Sequence, residues 1–449
     1  MQHEWLGAGT ARAEVSGIMG NLLISSDPSG GFDDAGERVR VIAGEEVWLE
    51  TEAVEQLERV AGLPGCVRAV GMPDLHPGPG IPIGAAFAFD RFVRPALVGS
   101  DAGCGARLWV LGRCKLGGDA IERRVRAVLE RPALEDADPA ALFEAVWLRG
   151  VRGLAGVPGV PDSLAALALE DAGAGEGEPE AAGDVPGVPA ELDRAALGRA
   201  LGTIGSGNHF AEVSRVERVV DDGAASRLGL DGRSVCVLVH SGSRGLGREL
   251  ALRWGETALV ADSAEAARYL GELGGALRFA RANRLVIGWR LLSALGAGNP
   301  GRLSGTIDVT HNTVVREPIG AGDAEHAWVH RKGCAPAHRD ALTLILGSRG
   351  TPSWIALGTG QRATLCSVAH GAGRRMTRTE AQAKLRQRYR RQELGRTAAV
   401  GRVICDRTEL LYEEHPDAYK PIEPVMASLE AAGLARRVAS LMPLLTVKQ

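Results

Sequence analysis

Five side chains of metal-ligand type stand in comparable settings in this sequence. The segment Val98-Gly-Ser-Asp-Ala-Gly-Cys-Gly-Ala106 places Asp101 three residues before Cys104, with glycine at 99, 103 and 105, so a carboxylate and a thiolate can converge in one loop. Both groups suit a divalent ion. The segment alone leaves a plainer reading open, in which Cys104 is a small buried apolar residue and Asp101 a turn-former. Three histidines shift the balance: His209 in Gly-Ser-Gly-Asn-His-Phe, His240 in Val-Leu-Val-His-Ser-Gly-Ser-Arg-Gly and His311 in Asp-Val-Thr-His-Asn, each where a strand-like run meets a loop. With Asp101 and Cys104 they make a mixed nitrogen, oxygen and sulfur set, large enough for two ions sharing a thiolate. Ligand softness by itself favours zinc.

His370 is of another kind, standing before Gly371-Ala372-Gly373-Arg374 at the end of an apolar run. A neutral imidazole there can attack phosphorus, while amides of the glycine loop and the nearby Arg374 and Arg378 hold phosphate oxygens. A histidine packed under a tight loop fits the same local text. Basic residues continue through Lys384, Arg386, Arg388, Arg390 and Arg391 on an expected helix, either a solvated face or a track for a polynucleotide backbone. His76 lies with Asp74 in a loop dense in glycine and proline, where support of a metal site from outside the ligand set is favoured over a purely structural role. His3, His326, His338 and His415 have no comparable setting.

These residues need elements to position them. Val41 and Ile42 predict a strand, Thr51 an N-cap for a helix carrying Ala53, Val54, Leu57 and Val60, and a further strand ends near Met72. Short β-branched runs then end in polar, glycine-rich loops: Val235 to Val239, Thr306 to Val309 and Thr364 to Val368. A helix is expected at about Gly275 to Leu295, with Leu277, Ala280, Leu285, Ile287, Leu291 and Leu292 forming its apolar surface. The alternation suits an α+β body with a mixed sheet core, although spacing does not separate this from a doubly wound α/β sheet. Residues 1–40 are expected to form a loosely ordered arm before a single domain over 41–449. The Gly-, Ala-, Glu- and Pro-rich stretch at about 171–190 should be a mobile surface insertion.

Composition narrows the class without choosing a function. A net charge of −3 gives no global pull on phosphates, so nucleic acid would need a local basic groove. No run reaches the roughly 18 apolar residues of a membrane helix, and the N-terminus does not look like a signal peptide. The seven cysteines show no paired spacing. The expectation is a cytoplasmic chain without disulfides or a membrane partner.

Taken in order, the motifs resemble those of the RtcB RNA ligase family from about Val41 to Lys448. The likeness rests on Pro73-Asp-Leu-His76 with Pro82-Ile-Gly84, the Asp101 and Cys104 loop, Gly207-Asn-His209-Phe-Ala-Glu212, His240-Ser-Gly-Ser-Arg244-Gly, Asp308-Val-Thr-His311-Asn, His330-Arg-Lys332-Gly, His370-Gly-Ala-Gly-Arg374, and the ending Ala418-Tyr419-Lys420 with Val447-Lys448. The resemblance implies an RtcB-like fold and two manganese ions bridged by Cys104, with Asp101 and His209 on one and His240 and His311 on the other. It implies GTP as the cofactor and His370 as the guanylylated nucleophile. Phe210 and Tyr419 would stack on guanine, with Glu212, Ser353 and Lys448 as polar readers. Asn208, Ser348 and the Gly371, Ala372 and Gly373 loop would lie near the nucleotide. Arg244, Lys332, Arg374 and Arg378 would meet RNA or phosphate. The activity implied is joining of an RNA 3′-phosphate, or a 2′,3′-cyclic phosphate, to a 5′-hydroxyl.

Arg349 follows Ser348 where most members carry methionine. Together with Gly71-Met-Pro-Asp-Leu-His-Pro-Gly78 and Leu238-Val-His-Ser-Gly-Ser-Arg-Gly-Leu-Gly247, it resembles the branch associated with release factor H. That implies a functional link to such a factor and repair of RNA of the translation apparatus. Ala102, Cys334 and the insertion depart from the family pattern without removing a ligand or the nucleophile. Two other classes compete: a metal-dependent RNA phosphoesterase, which would not need Lys448 or the Phe210 and Tyr419 pair, and a non-catalytic RNA-binding partner of a release factor. A cysteine–histidine hydrolase is disfavoured, because Cys104 shares its loop with Asp101 in the manner of a ligand.

Overall fold

The computed structural model describes residues 23–25, 38–173, 186–255, 257–320, 325–396 and 401–449. Among these residues two larger sheets carry the fold. One orders Gly305–Thr310, Gly105–Val110, Val235–Ser241, Phe210–Val219, Ala435–Val447, Ser353–Gly358 and Leu342–Ile345, with Arg402–Ile404 pairing beside Ala435–Val447. The other orders Leu23–Ser25, Val39–Ile42, Cys66–His76, Ile83–Phe89, His326–Lys332 and Asn312–Pro318. Parallel and antiparallel pairs both occur in each sheet.

Alternation of side chains explains the layering, since successive residues of a strand face opposite sides. Ala106, Leu108, Cys236 and Leu238 share a core with Val70, Met72, Ala86 and Ala88 of the other sheet. The intervening Trp109, Val237 and Val239 pack instead with Phe279, Leu285 and Val286 of the helix Ala264–Ala294. On the far side, Ala69, Phe87 and Phe89 meet Val54 and Leu57 of the helix Thr51–Ala61. Helix, sheet, sheet and helix thus stack as one α+β body.

Several boundaries differ from the sequence reading. Glu50, not Thr51, is the N-cap, and Thr51 is the first helical residue. The strand expected to end near Met72 runs through His76, because an irregularity in pairing between Gly71 and His76 accommodates Pro73, which has no N–H to give. The helix expected from Gly275 begins at Ala264, where Ser263 Oγ accepts from Ala266 N. Gly271, Gly274 and Gly275 lie inside it, because burial of both flanks overrides their low helix propensity. The strand expected over Thr364 to Val368 shrinks to Ser367–Ala369, since Leu365 and Cys366 adopt positive φ.

Residues 1–22 and 26–37 of the expected arm lie outside the described residues, while Leu23–Ser25 pairs in parallel with Val39–Ile42. The ends of the expected insertion belong to the body. Asp171 is buried against Arg107 and Arg281, and Pro186 O accepts from Trp147 Nε1 at 2.8 Å; residues 174–185 between them are not described. The seven cysteines are unpaired, and no helix among the described residues is long and apolar enough to cross a membrane.

The long helix lies close on the sheet at Gly288, where a Cβ would come within 2.2 Å of the buried Trp109 ring. Gly288→Ala should therefore destabilise the fold by about 1–3 kcal/mol despite alanine's better helix propensity. A thermal unfolding midpoint equal to or above wild type would show that the ring has room to move.

Candidate active site

Strand register explains why residues far apart in sequence meet. Gly105 pairs with both Thr310 and Ser241, and His240 pairs with both Ala106 and Phe210. Cys104, His311 and His209 each lie one residue beyond a paired position, so all join His240 at one end of four neighbouring strands. Gly242 lets the loops close, because a Cβ there would stand 2.5 Å from Asp101 Oδ1.

The five ligand-type side chains form a chain of contacts. Asp101 Oδ2 lies 3.1 Å from His209 Nε2, which lies 3.2 Å from Cys104 Sγ; His240 Nε2 follows at 3.3 Å from that sulfur and 3.2 Å from His311 Nε2. Cys104 is the middle member. The donor atoms of Cys104, His209 and His240 all lie within 4.8 Å of one another and are buried.

Protonation fits a cation site. His240 Nδ1 donates to Asn208 O at 3.2 Å, which leaves Nε2 as the lone pair facing the sulfur. Burial, then neighbouring histidines, hold His240 and His311 well below the ordinary histidine range, so both are neutral. Burial, then Asp101, raises the Cys104 thiol well above its usual value, so a thiolate there requires a cation beside it. Burial pushes Asp101 up, but His209 outweighs it and the carboxyl stays low.

Arg244, expected at RNA or phosphate, contacts a ligand-type histidine. Its Nη1 donates to His209 Nδ1 at 3.0 Å, and a guanidinium can only donate. The His209 proton then sits on Nε2, facing Asp101, and ligation through Nε2 requires Arg244 to turn away.

Helix Ala264–Ala294 braces the ligand loops from behind. Arg284 donates to Gly103 O at 2.8 Å, Ser241 O at 3.2 Å and Asp308 Oδ1 at 2.9 Å. Asn283 accepts from Gly202 N and donates to Ser241 Oγ and Gly242 O. Asn312 ties the Asp101 carbonyl to Gly333 N. Sequence reading missed these residues. Two adjacent polar side chains, Asn283 and Arg284, within an apolar helical surface were the available signal.

His370 follows the strand Ser367–Ala369, with its ring centroid 4.7 Å from that of His311. Its Nδ1 pairs with Asp74 Oδ2 at 2.7 Å, and the same oxygen accepts from the His370 backbone N–H at 3.2 Å. Nδ1–H donating to the carboxylate leaves Nε2 as a lone pair. Asp74 is fully buried, and Lys420 Nζ clamps its loop by donating to Pro73 O at 3.0 Å and Leu75 O at 2.7 Å. Asp74, rather than His76, therefore reaches His370; His76 Nδ1 pairs with the Asp74 carbonyl.

Of the residues expected around a nucleotide, Tyr419 and Lys448 lie against Glu414, a 1% exposed carboxylate that sequence reading missed. Tyr419 O–H donates to it, Arg374 approaches at 3.0 Å, and Lys448 and Arg378 at 3.7 Å. Lys448 Nζ also donates to Gly207 O and His209 O and stands 5.9 Å over the Phe210 ring. Glu212 accepts from Thr446 Oγ1 at 2.6 Å; burial, opposed by Thr446 and Lys448, raises it to about 7. Ser353 Oγ accepts from Gly347 N, and Ser348 Oγ pairs with Thr351 Oγ1.

Three groups expected at phosphate have protein partners in this structure. Arg374 spends its donors on Glu414, Glu413 O and Met376 O and covers the Tyr419 ring, so it builds the pocket wall. Ala372 N donates to Leu346 O, which removes one amide from the proposed phosphate loop. Lys332 Nζ reaches Ala96 O at 3.4 Å, with burial, opposed by Asp101, lowering it to about 8. Arg378 remains half-exposed and lies against Gly207.

A family model described as tRNA-splicing ligase RtcB matches residues 56–449. The chain is 38% identical to an RNA-splicing ligase RtcB2 of Escherichia coli, over 92% of this chain and 96% of that protein. It is 36% identical to an RNA-splicing ligase RtcB of Mycobacterium tuberculosis, over 88% of this chain and all of that protein. A tRNA-splicing ligase RtcB of Archaeoglobus fulgidus is 31% identical, over 88% and 91% respectively.

Proposed function

This chain belongs to the RtcB family of RNA ligases, and from that premise we propose that it joins RNA 3′-phosphate ends to 5′-hydroxyl ends using GTP and manganese through a guanylate on His370. The observation that carries the reading is the His370 and Asp74 pair, which presents one nitrogen lone pair beside a buried cluster of ligand-type side chains. Asp101, Cys104 and His209 would hold one cation and Cys104, His240 and His311 a second, supplying neutralisation of the charge that builds on phosphate oxygens. Manganese, rather than the zinc that ligand softness favours, follows from the family resemblance.

In the proposed sequence His370 Nε2 attacks the α-phosphorus of GTP, and the bond to pyrophosphate breaks. Asp74 accepts the Nδ1 hydrogen and stabilises the ring as it becomes positive. An oxygen of the RNA 3′-phosphate then attacks the guanylate phosphorus, and the nitrogen–phosphorus bond returns its electrons to His370. The 5′-hydroxyl finally attacks the activated 3′-phosphate, loses its proton, and releases GMP. A 2′,3′-cyclic end would first be opened by water at the same site. Incubation of RNA bearing 3′-phosphate and 5′-hydroxyl ends with GTP and manganese should give a joined product; conversion to 3′-hydroxyl without joining would instead support a phosphoesterase.

For the base, Phe210 and Tyr419 offer aromatic faces, Glu212 an acceptor for the guanine N1 and N2 hydrogens, and Lys448 a donor for O6. Adenine presents a donor at position 6 and lacks the N2 group, leaving both side chains without partners. Nucleotide transfer from ATP should be weaker than from GTP by on the order of 10⁴-fold. Equal labelling by the two nucleotides would remove this assignment.

We further infer that the chain belongs to the branch associated with release factor H and repairs RNA of the translation apparatus, on the strength of the Gly71–Gly78 and Leu238–Gly247 phrases and Arg349. Cleaved tRNA or ribosomal RNA should then be sealed faster than an unrelated oligonucleotide with the same ends. Equal rates would argue against this substrate preference.

A further inference from the structure

Arg349 is 6% exposed, and its Nη1 is buried with no hydrogen-bond partner among the described residues. A guanidinium donor left unpaired away from water is costly, so a buried one calls for an acceptor. Its surroundings identify where that acceptor would come from. Burial lowers Arg349 to about 10, with Cys405, Glu414 and Tyr419 opposing, and Lys448 in turn feels its charge. Arg349 stands in the turn where Ser348 N donates to Thr351 Oγ1 at 2.8 Å, three residues after Leu346, which exchanges backbone hydrogen bonds with His370 and Ala372, so the turn lies between the Glu414 pocket and the His370 loop.

Charge in that pocket is unbalanced. Glu414 already serves Arg374, Tyr419, Lys448 and Arg378. Arg349 adds a further cation, and Glu212, a second carboxyl whose charge Lys448 feels, is raised to about 7. An electron-rich ligand face is the natural complement.

We propose that Arg349 determines base specificity, donating from its guanidinium to the O6 and N7 acceptors of the bound guanine. The inference rests on the nucleotide-pocket reading above, in which Tyr419 and Lys448 meet the base. The Arg fork matches the paired acceptors on this edge, and O6 has lone pairs for both Arg349 and Lys448. Adenine sets a donor beside N7 and would oppose the same guanidinium.

The test compares equilibrium binding of GTP, 7-deaza-GTP and ATP to the full chain without added manganese, so that no covalent guanylate forms, as wild type, Arg349→Met and Arg349→Lys. Wild type should bind 7-deaza-GTP about tenfold more weakly than GTP. Arg349→Met should bind the two alike, with GTP weakened by about ten- to a hundredfold and its advantage over ATP narrowed to match. Arg349→Lys should keep part of the affinity but lose the 7-deaza penalty, which covers the case in which the Met variant does not fold. No 7-deaza penalty in wild type, or the same penalty in wild type and variants, would overturn the proposal. Equal weakening of GTP, 7-deaza-GTP and ATP would also overturn it, assigning Arg349 to phosphate. A wild type that does not prefer GTP to ATP would instead bring down the pocket reading, and the Arg349 proposal with it.

Discussion

Cys104→Ala should lose metal at both positions of the cluster, falling from about two ions per chain to well under one after gel filtration. Cys104 Sγ is the middle atom of the contact chain, 3.2 Å from His209 Nε2 and 3.3 Å from His240 Nε2. Without it, Asp101 and His209 remain on one side and His240 and His311 on the other, two side-chain donors apiece. Structural sites for ions of this kind usually have four ligands and catalytic ones at least three, so neither half would hold its cation tightly. Joining activity should fall below detection, and the fold should survive, since alanine fills a similar small buried space. Two tightly bound ions in the variant would remove the bridging role of the thiolate.

His370→Ala should separate the first two chemical steps from the last. Without the imidazole there is no acceptor for guanylate, so joining from GTP should drop by on the order of 10⁴-fold or more. The last displacement needs no nucleophile from the protein. An RNA supplied with its 3′ end already carrying guanylate should therefore be sealed by the variant, provided the metals remain bound. His240→Ala or His311→Ala should block both reactions, because the ligand cluster serves every step. Near wild-type joining of 3′-phosphate RNA with GTP by His370→Ala would exclude the covalent route.

The candidate ligands were legible because each sits where a strand-like run meets a glycine-rich loop, and antiparallel register then had few ways to arrange the ends. Their order along the contact chain was not legible from spacing and came only from the family resemblance, since register is set by tertiary pairing. The partner of His370 was hidden for the same reason: Asp74 lies 296 residues away and reaches it only because the end of the strand Cys66–His76 meets the residues that follow Ser367–Ala369. The partner of Arg374 was not legible either: an arginine next to a candidate nucleophile suggests a phosphate contact, and only the structure shows its pairing with buried Glu414. The α+β layering followed from alternation in the strands. The extra N-terminal turns of the long helix did not, because glycine propensity is a weak guide once both faces of a helix are buried.

The central claim is a covalent guanylate on His370, and the direct measurement is mass mapping of the chain after incubation with GTP and manganese, with the product trapped before RNA is added. One guanylate per chain on the peptide containing His370, discharged with release of GMP when 3′-phosphate RNA is supplied, is the expected result. RNA joining with no trapped adduct, or an adduct on a different residue, would contradict it.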